Sequence, residues 1–297
     1  MGCFSRSIIP LLFLLLAGVL GCNEPLPEAQ SPSTSQFPTI RSVFDANATG
    51  EIHGQVTWKG EVPAAPPFET LPVPLAGEIL GRKQIRPNPN LPAIDRTSRG
   101  VRNAVVYLRD VNVQASKPRD HPPLRVEMRD CQFHVIQGLD ESAIGFVRRG
   151  EPVQMVSADS HFHMLHADGA VFWNFAFPDP GMPLSREVEK KGIVELSSGA
   201  GYFWMRAYLF IDDHPYYART DKEGRFTLSQ VPPGRYEVVC WLPNWREARH
   251  ERDPETGMIS RLYFEEPITA IQTVVIGNNE RARIHFTLSA LSTALRR

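Results

Sequence analysis

The amino-acid sequence predicts an all-β chain built from two antiparallel β-sandwiches. No segment sustains a helical apolar stripe with caps at both ends. Instead, short alternating runs rich in β-branched and aromatic residues recur, and Gly-bearing turns and many of the 26 prolines separate them.

Taken in order, the first element is a leader. A single positive charge, Arg6, precedes an apolar run from Ile8 to Val19, the layout of a secretory signal and too short to cross a bilayer. Val19, Leu20 and Gly21 lead to Cys22, and this approach resembles the lipobox of bacterial lipoproteins. The resemblance implies a signal peptide over 1–21, acylation of Cys22, and an exported chain held on a membrane and facing the periplasm or cell surface. Each buried methylene of an acyl chain contributes about 0.8 kcal/mol to such an anchor. Residues 22–50 are rich in Pro, Ser and small polar side chains and read as a disordered tether.

The strand pattern then begins. In "GEIHGQVTW", Ile52, Gly54, Val56 and Trp58 fall on one face while His53, Gln55 and Thr57 fall on the other, as in a half-buried strand. The proline-laden stretch from Pro63 to Pro92 lacks the donors of a central strand and reads as a long excursion. "VRNAVVYL", "LRVEM", "EPVQMVS", "GAVFWNFAF", "GIVEL" and "FWMRAYLFI" follow, and then "GRFTLSQV", "GRYEVVCWL", "ITAIQTVVI" and "RARIHFTL".

The punctuation of the last group is specific. "TDKEGRF" places Asp221 and Gly224 at a tight hairpin, and "VPPGRYEVV" sets a second turn before a strand. Thr220, Asp221, Gly224, Phe226, Pro232, Gly234 and Tyr236 match one by one the pattern of the carboxypeptidase regulatory-like domain, a transthyretin-like sandwich sometimes grouped with carbohydrate-binding-like folds. The resemblance implies an accessory β module over 210–290 rather than a peptidase.

Upstream, "CQFHV" (Cys131–Val135), "DSHFHMLH" (Asp159–His166), "GAGYFWMRAY" (Gly199–Tyr208) and "DDHPYYARTD" stand in the order of motifs in exported bacterial proteins that place a cupredoxin-like (plastocyanin-like) sandwich before such a module. This resemblance implies a cupredoxin-like domain over 51–209. It also implies copper ligands at three positions of one loop, a thiolate, an imidazole and a thioether, which here read Gly199, Tyr202 and Met205. A blue-copper centre needs a thiolate and two imidazoles, so the ancestral copper site reads as degenerate, with Met205 a core residue beside Trp204.

Net charge of -1 with no basic stripe gives no electrostatic case for nucleic acid. No Gly-rich phosphate loop, G-x-S-x-G elbow or H-E-x-x-H motif is present, so no enzyme is expected. Three readings follow. In the first, the chain is a non-catalytic binding or scaffold module of the cell envelope with no cofactor and an unspecified protein or glycan partner. In the second, His161, His163 and His166 hold copper or zinc: His161 and His163 share one strand face, and a bend before Asp168 would bring His166 to them. In the third, Trp241, Trp245, Phe203 and Trp204 stack on sugars, against their alternative as core. Cys131 and Cys240 either pair as a disulfide or remain buried thiols.

Overall fold

The computed structural model describes residues 43–70, 84–255 and 257–291. The expected signal peptide, the Cys22 lipid site and most of the tether lie outside the described residues. Among the described residues from Gly50 onward the chain is strand, turn and loop, with one 3-10 turn at Val113–Ala115. The all-β reading holds.

Four sheets form the body. The strand Gly50–Lys59 lies between Arg225–Val231, antiparallel to it, and Arg281–Ser289, parallel to it. Facing this sheet is one of four antiparallel strands in the order Tyr217–Arg219, Val105–Arg109, Gly234–Leu242 and Ile268–Ile276. Between them sits a core of Ile52, Val56, Leu108, Val238, Cys240 and Phe286 among others. The second pair of sheets has five strands each. One runs Ile144–Arg148, Arg206–Asp212, Gly192–Ser198, His163–Gly169 and Trp173–Phe177, and the other Leu184–Glu187, Pro152–Ser157, Leu124–Arg129, Gln132–Gln137 and Asp140–Ser142. Their core holds Val126, Met128, Met155, Leu165, Leu196 and Leu209.

Period-2 alternation joins the two pairs. Val106 and Leu108 point into the first core while Val105 and Tyr107 point the other way, onto a seam where Phe146, Tyr208, Phe210 and Trp241 interlock. Tyr208 and Phe210 in turn alternate with Ala207, Leu209 and Ile211, which belong to the other core. Aromatic rings across the seam meet edge to face, Phe210 on Trp241 at 5.1 Å and Tyr208 on Trp241 at 5.1 Å, geometry that adds about 1 kcal/mol per pair beyond area burial.

The sheets do not follow the division expected at 209/210. Gly50–Lys59 and Val105–Arg109 lie in sheets with strands of the C-terminal segment, and the second sandwich occupies the stretch from Leu124 to Asp212, between Val105–Arg109 and that segment. Local pattern identifies a strand, but pairing is non-local, so neither strand announces its partner in the sequence.

The turn residues act as their types require. Asp221 Oδ1 accepts from the amides of Glu223 (2.9 Å) and Arg225 (2.8 Å). Gly224 has φ +79 and no room for a side chain, since a Cβ there would lie 2.1 Å from Val56 O. Thr220 Oγ1 donates to Val101 O at 2.6 Å and accepts from Ala104 N at 2.9 Å, tying the turn to the segment that leads into the strand Val105–Arg109. Cys131 and Cys240 are both free thiols in different cores, so the disulfide alternative is replaced by two buried thiols.

Candidate metal centre

The strands Leu124–Arg129 and Gln132–Gln137 pair with Arg129 opposite Gln132, which leaves Asp130 and Cys131 as a two-residue turn. Both have left-handed backbones, φ 54 and φ 53, the conformation such hairpins demand and one that non-glycine residues adopt at a cost. Asp159 offsets it: Oδ1 accepts from Asp130 N at 2.9 Å and Oδ2 from Cys131 N at 3.1 Å. Trp204 Nε1 donates to Cys131 O at 2.9 Å. The turn is thereby fixed from two sides.

Asp159, His161 and His163 recur at every second residue just before and into the strand His163–Gly169. The consequence is a convergence of four donors: one ligand atom each from Cys131, Asp159, His161 and His163 lies within 4.8 Å of every other. Cys131 Sγ stands 3.1 Å from His161 Nε2, His161 Nε2 stands 3.5 Å from Asp159 Oδ2, and His163 Nε2 stands 2.8 Å from the same oxygen. A tetrahedral ion with bonds of about 2.0 to 2.3 Å separates its ligands by roughly 3.3 to 3.8 Å, so the group is near coordination spacing.

Its electrostatics suit a cation. Burial pulls the Asp159 carboxyl upward, but hydrogen bonds from the Cys131 amide, His163 and the Asp130 amide outweigh this and hold it below the ordinary value. Burial lowers the basicity of His163 against the pull of Asp159, leaving a neutral imidazole, the form that ligates. Burial, and then the charge of Asp159, push the Cys131 thiol up to about 12. A thiol so raised is no free nucleophile at neutral pH; a metal ion is what would displace its proton. His163 Nδ1, the other ring nitrogen, is buried with no hydrogen-bond partner among the described residues.

Aromatic rings wall the site. Tyr202 stands 5.2 Å from the His163 ring and 5.6 Å from that of His161, and burial pushes its phenol up to about 12. Trp204 packs on Tyr202 at 5.7 Å and Phe203 at 5.2 Å. Met205 is 1% exposed in the core, as its sequence context predicts. Gly199 donates its amide to Met164 O at 2.8 Å, and a Cβ there would lie 2.8 Å from Met164 Sδ and 3.0 Å from Met164 Cγ. The thioether of Met164 thus fills the space that a side chain at 199 would take.

Of the expected histidines, His161 and His163 come together and His166 does not. The strand runs unbroken to Gly169, so a three-residue offset puts His166 on the opposite face from His163. There its ring meets Phe172 edge to face at 5.4 Å, and burial followed by Arg261 lowers its basicity. Reading the histidines alone missed Asp159 and Cys131. Asp159 carries a signal, its period-2 spacing with His161 and His163; Cys131 carries none, because only the folded hairpin brings it across 30 residues. The aromatic group proposed for sugar stacking is buried, Trp241 at 3%, Trp245 at 8%, Phe203 at 3% and Trp204 at 7% exposure, so those rings are core.

No family model matches this chain, and no curated protein matches it in sequence. Among solved structures it is similar to a reduced-state amicyanin mutant at 14% identity and TM-score 0.24, covering 30% of this chain and 81% of that one. It is similar to a purple cupredoxin from Nitrosopumilus maritimus at 11% identity and TM-score 0.23, covering 29% and 97%. It is also similar to a copper-containing nitrite reductase from Thermus scotoductus at 16% identity and TM-score 0.25, covering 35% of this chain and 25% of that one.

Proposed function

We propose that this chain is a non-catalytic metal-binding protein of the cell envelope, exported and held to a membrane through an acylated Cys22, with Cys131, Asp159, His161 and His163 as the ligand set. The body combines a cupredoxin-like sandwich with a carboxypeptidase regulatory-like module, and the module presents the metal-bearing sandwich without chemistry of its own. The observation that supports this reading is the convergence of four donor atoms within 4.8 Å of one another. One thiolate, two imidazoles and one carboxylate make a closed four-coordinate set of the structural zinc type, and Asp159 serves either as ligand or as the group that orients His163.

Copper is the second reading, favoured by the same two imidazoles and thiolate, the donor trio of blue-copper centres. The half-buried carboxylate, fixed by two turn amides, in place of a weak thioether tips the balance to zinc. Zinc titration of the metal-free chain, read by competition with a chromophoric chelator, tests the proposal. Wild type is expected to bind one ion per chain, with affinity falling at least a hundredfold in Cys131→Ser and in His163→Ala. Equal affinity across the three proteins overturns the proposal and returns the chain to a metal-free scaffold role.

A further inference from the structure

A second, independent feature lies at the opposite end of the stack of sheets, on the outer face of the sheet around Gly50–Lys59. Alternation turns Ile52, Val56 and Trp58 inward and leaves His53, Gln55 and Thr57 outward. Register then sets two cross-strand rows. Thr227, His53 and Arg283 form one, and Arg225, Gln55 and His285 form the other. The flanking strands carry Arg225 on one side and Arg283 on the other, diagonally across the face, and a trough of about 300 Å³ lies between them over His53 and Gln55.

Arg225 and Arg283 are exposed, and among the described residues neither has a carboxylate in ion-pair range. Arg281, on the same strand as Arg283, shares Glu51 with His53. His53 Nδ1 meets Thr227 Oγ1 at 3.1 Å, and His285 Nε2 meets Thr57 Oγ1 at 2.9 Å, so the floor carries two separate hydroxyl–imidazole pairs.

Two strand spacings across and two residues along put the backbones of Arg225 and Arg283 roughly 12 Å apart on the diagonal. That is wide for one small anion and suits a linear chain with repeated negative charges. The trough has no aromatic platform for stacking neutral sugars or bases, and none of the exposed large hydrophobic residues lies on it to enter a lipid surface. Carboxylates would take the two guanidinium forks, which pair bidentately with such groups, and sugar hydroxyls would donate to Gln55 Oε1, whose Nε2 is held by Glu223 O at 2.9 Å.

We propose that this trough binds a linear acidic polysaccharide, with Arg225 and Arg283 gripping carboxylates on separate sugars. The test is calorimetric titration of the intact chain with sodium polygalacturonate, alongside neutral dextran and vesicles of phosphatidylglycerol in phosphatidylcholine. Binding to polygalacturonate alone is expected, weakened at least tenfold in R225A/R283A and weakened in wild type by raising salt. Both substitutions lie on an exposed face, and an unchanged thermal melt of the double variant separates loss of contact from loss of fold. No binding to polygalacturonate, equal binding of dextran, binding unchanged in R225A/R283A, or tighter binding to the vesicles than to the polysaccharide overturns the proposal.

Discussion

The Asp130–Cys131 turn and the Gly199–Met205 loop meet at the same end of one sandwich, joined by the hydrogen bond from Trp204 to Cys131, yet only the turn brings a donor to the histidines. The loop supplies walls: Tyr202 stands against both imidazoles and Met205 is buried below. The difference teaches that potential ligand atoms can converge in a segment far from the one whose motif suggests a site. A loop with glycine and tyrosine at positions where the sequence resemblance implies ligands reads as a lost site, while the hairpin opposite places sulfur 3.1 Å from a ring nitrogen.

The comparison breaks hardest at Asp159. Its carboxylate holds the turn amides and His163 together, so Asp159→Ala removes a proposed ligand and takes the acceptor from the half-buried Cys131 amide and the buried His163 ring, while water can replace it at the exposed Asp130 amide. Metal binding is expected to disappear, and metal-free stability to fall by about 2 kcal/mol, given about 1 to 3 kcal/mol for a buried group left unpaired. Urea denaturation of metal-free and metal-loaded protein reads both. A smaller loss confined to the metal-loaded form would show that Asp159 does not brace the turn.

The loop side sharpens at Gly199. A Cβ there meets Met164 Sδ and Cγ, but Gly199 is exposed and the half-buried Met164 side chain can shift, so Gly199→Ala is expected to destabilise by less than about 1 kcal/mol. Adding Met164→Ala should recover most of that loss, because the crowding atoms are then gone. Thermal melts of the two single variants and the double give the coupling directly, and simple additivity would contradict the filling role of Met164.

Acid offers a third contrast, at the seam rather than the site. Burial, reinforced by Arg119, lowers His121 to about 4 from its ordinary 6.5. The unfolded chain therefore takes up this proton first as pH falls. Its contribution is fully present above pH 6.5 and drains away between pH 6.5 and 4, by up to about 3 kcal/mol. His121→Gln should flatten the stability profile over that window in urea titrations at a series of pH values. The smallest effect belongs to His166. Being on the far face of its strand, it is expected to leave zinc affinity within twofold of wild type when changed to alanine.

Much of the fold was legible because β-sandwich strands announce themselves by alternation. Ile52, Val56 and Trp58 are buried where the period-2 reading puts them, and Asp221 and Gly224 build the turn their types require. Pairing was not legible. Gly50–Lys59 lies beside Arg281–Ser289, more than two hundred residues on, and no local property of either strand specifies that parallel match. The site divides the same way: the shared face of His161 and His163 follows from two-residue spacing along one strand, whereas the approach of Cys131 depends on a hairpin folding back onto it. His166 failed for a physical reason of the same kind, since a bend expected from Asp168 and Gly169 is absorbed into a continuous strand.

The most direct test of a four-donor centre is the absorption spectrum of metal-free protein titrated with Co(II), whose bands report both ligand field and sulfur ligation. The account predicts saturation at one ion per chain, with intense tetrahedral bands and a thiolate-to-cobalt charge-transfer band that vanishes in Cys131→Ser and persists in His166→Ala. A wild-type spectrum no different from hydrated cobalt, or a charge-transfer band that survives loss of the Cys131 sulfur, would contradict it.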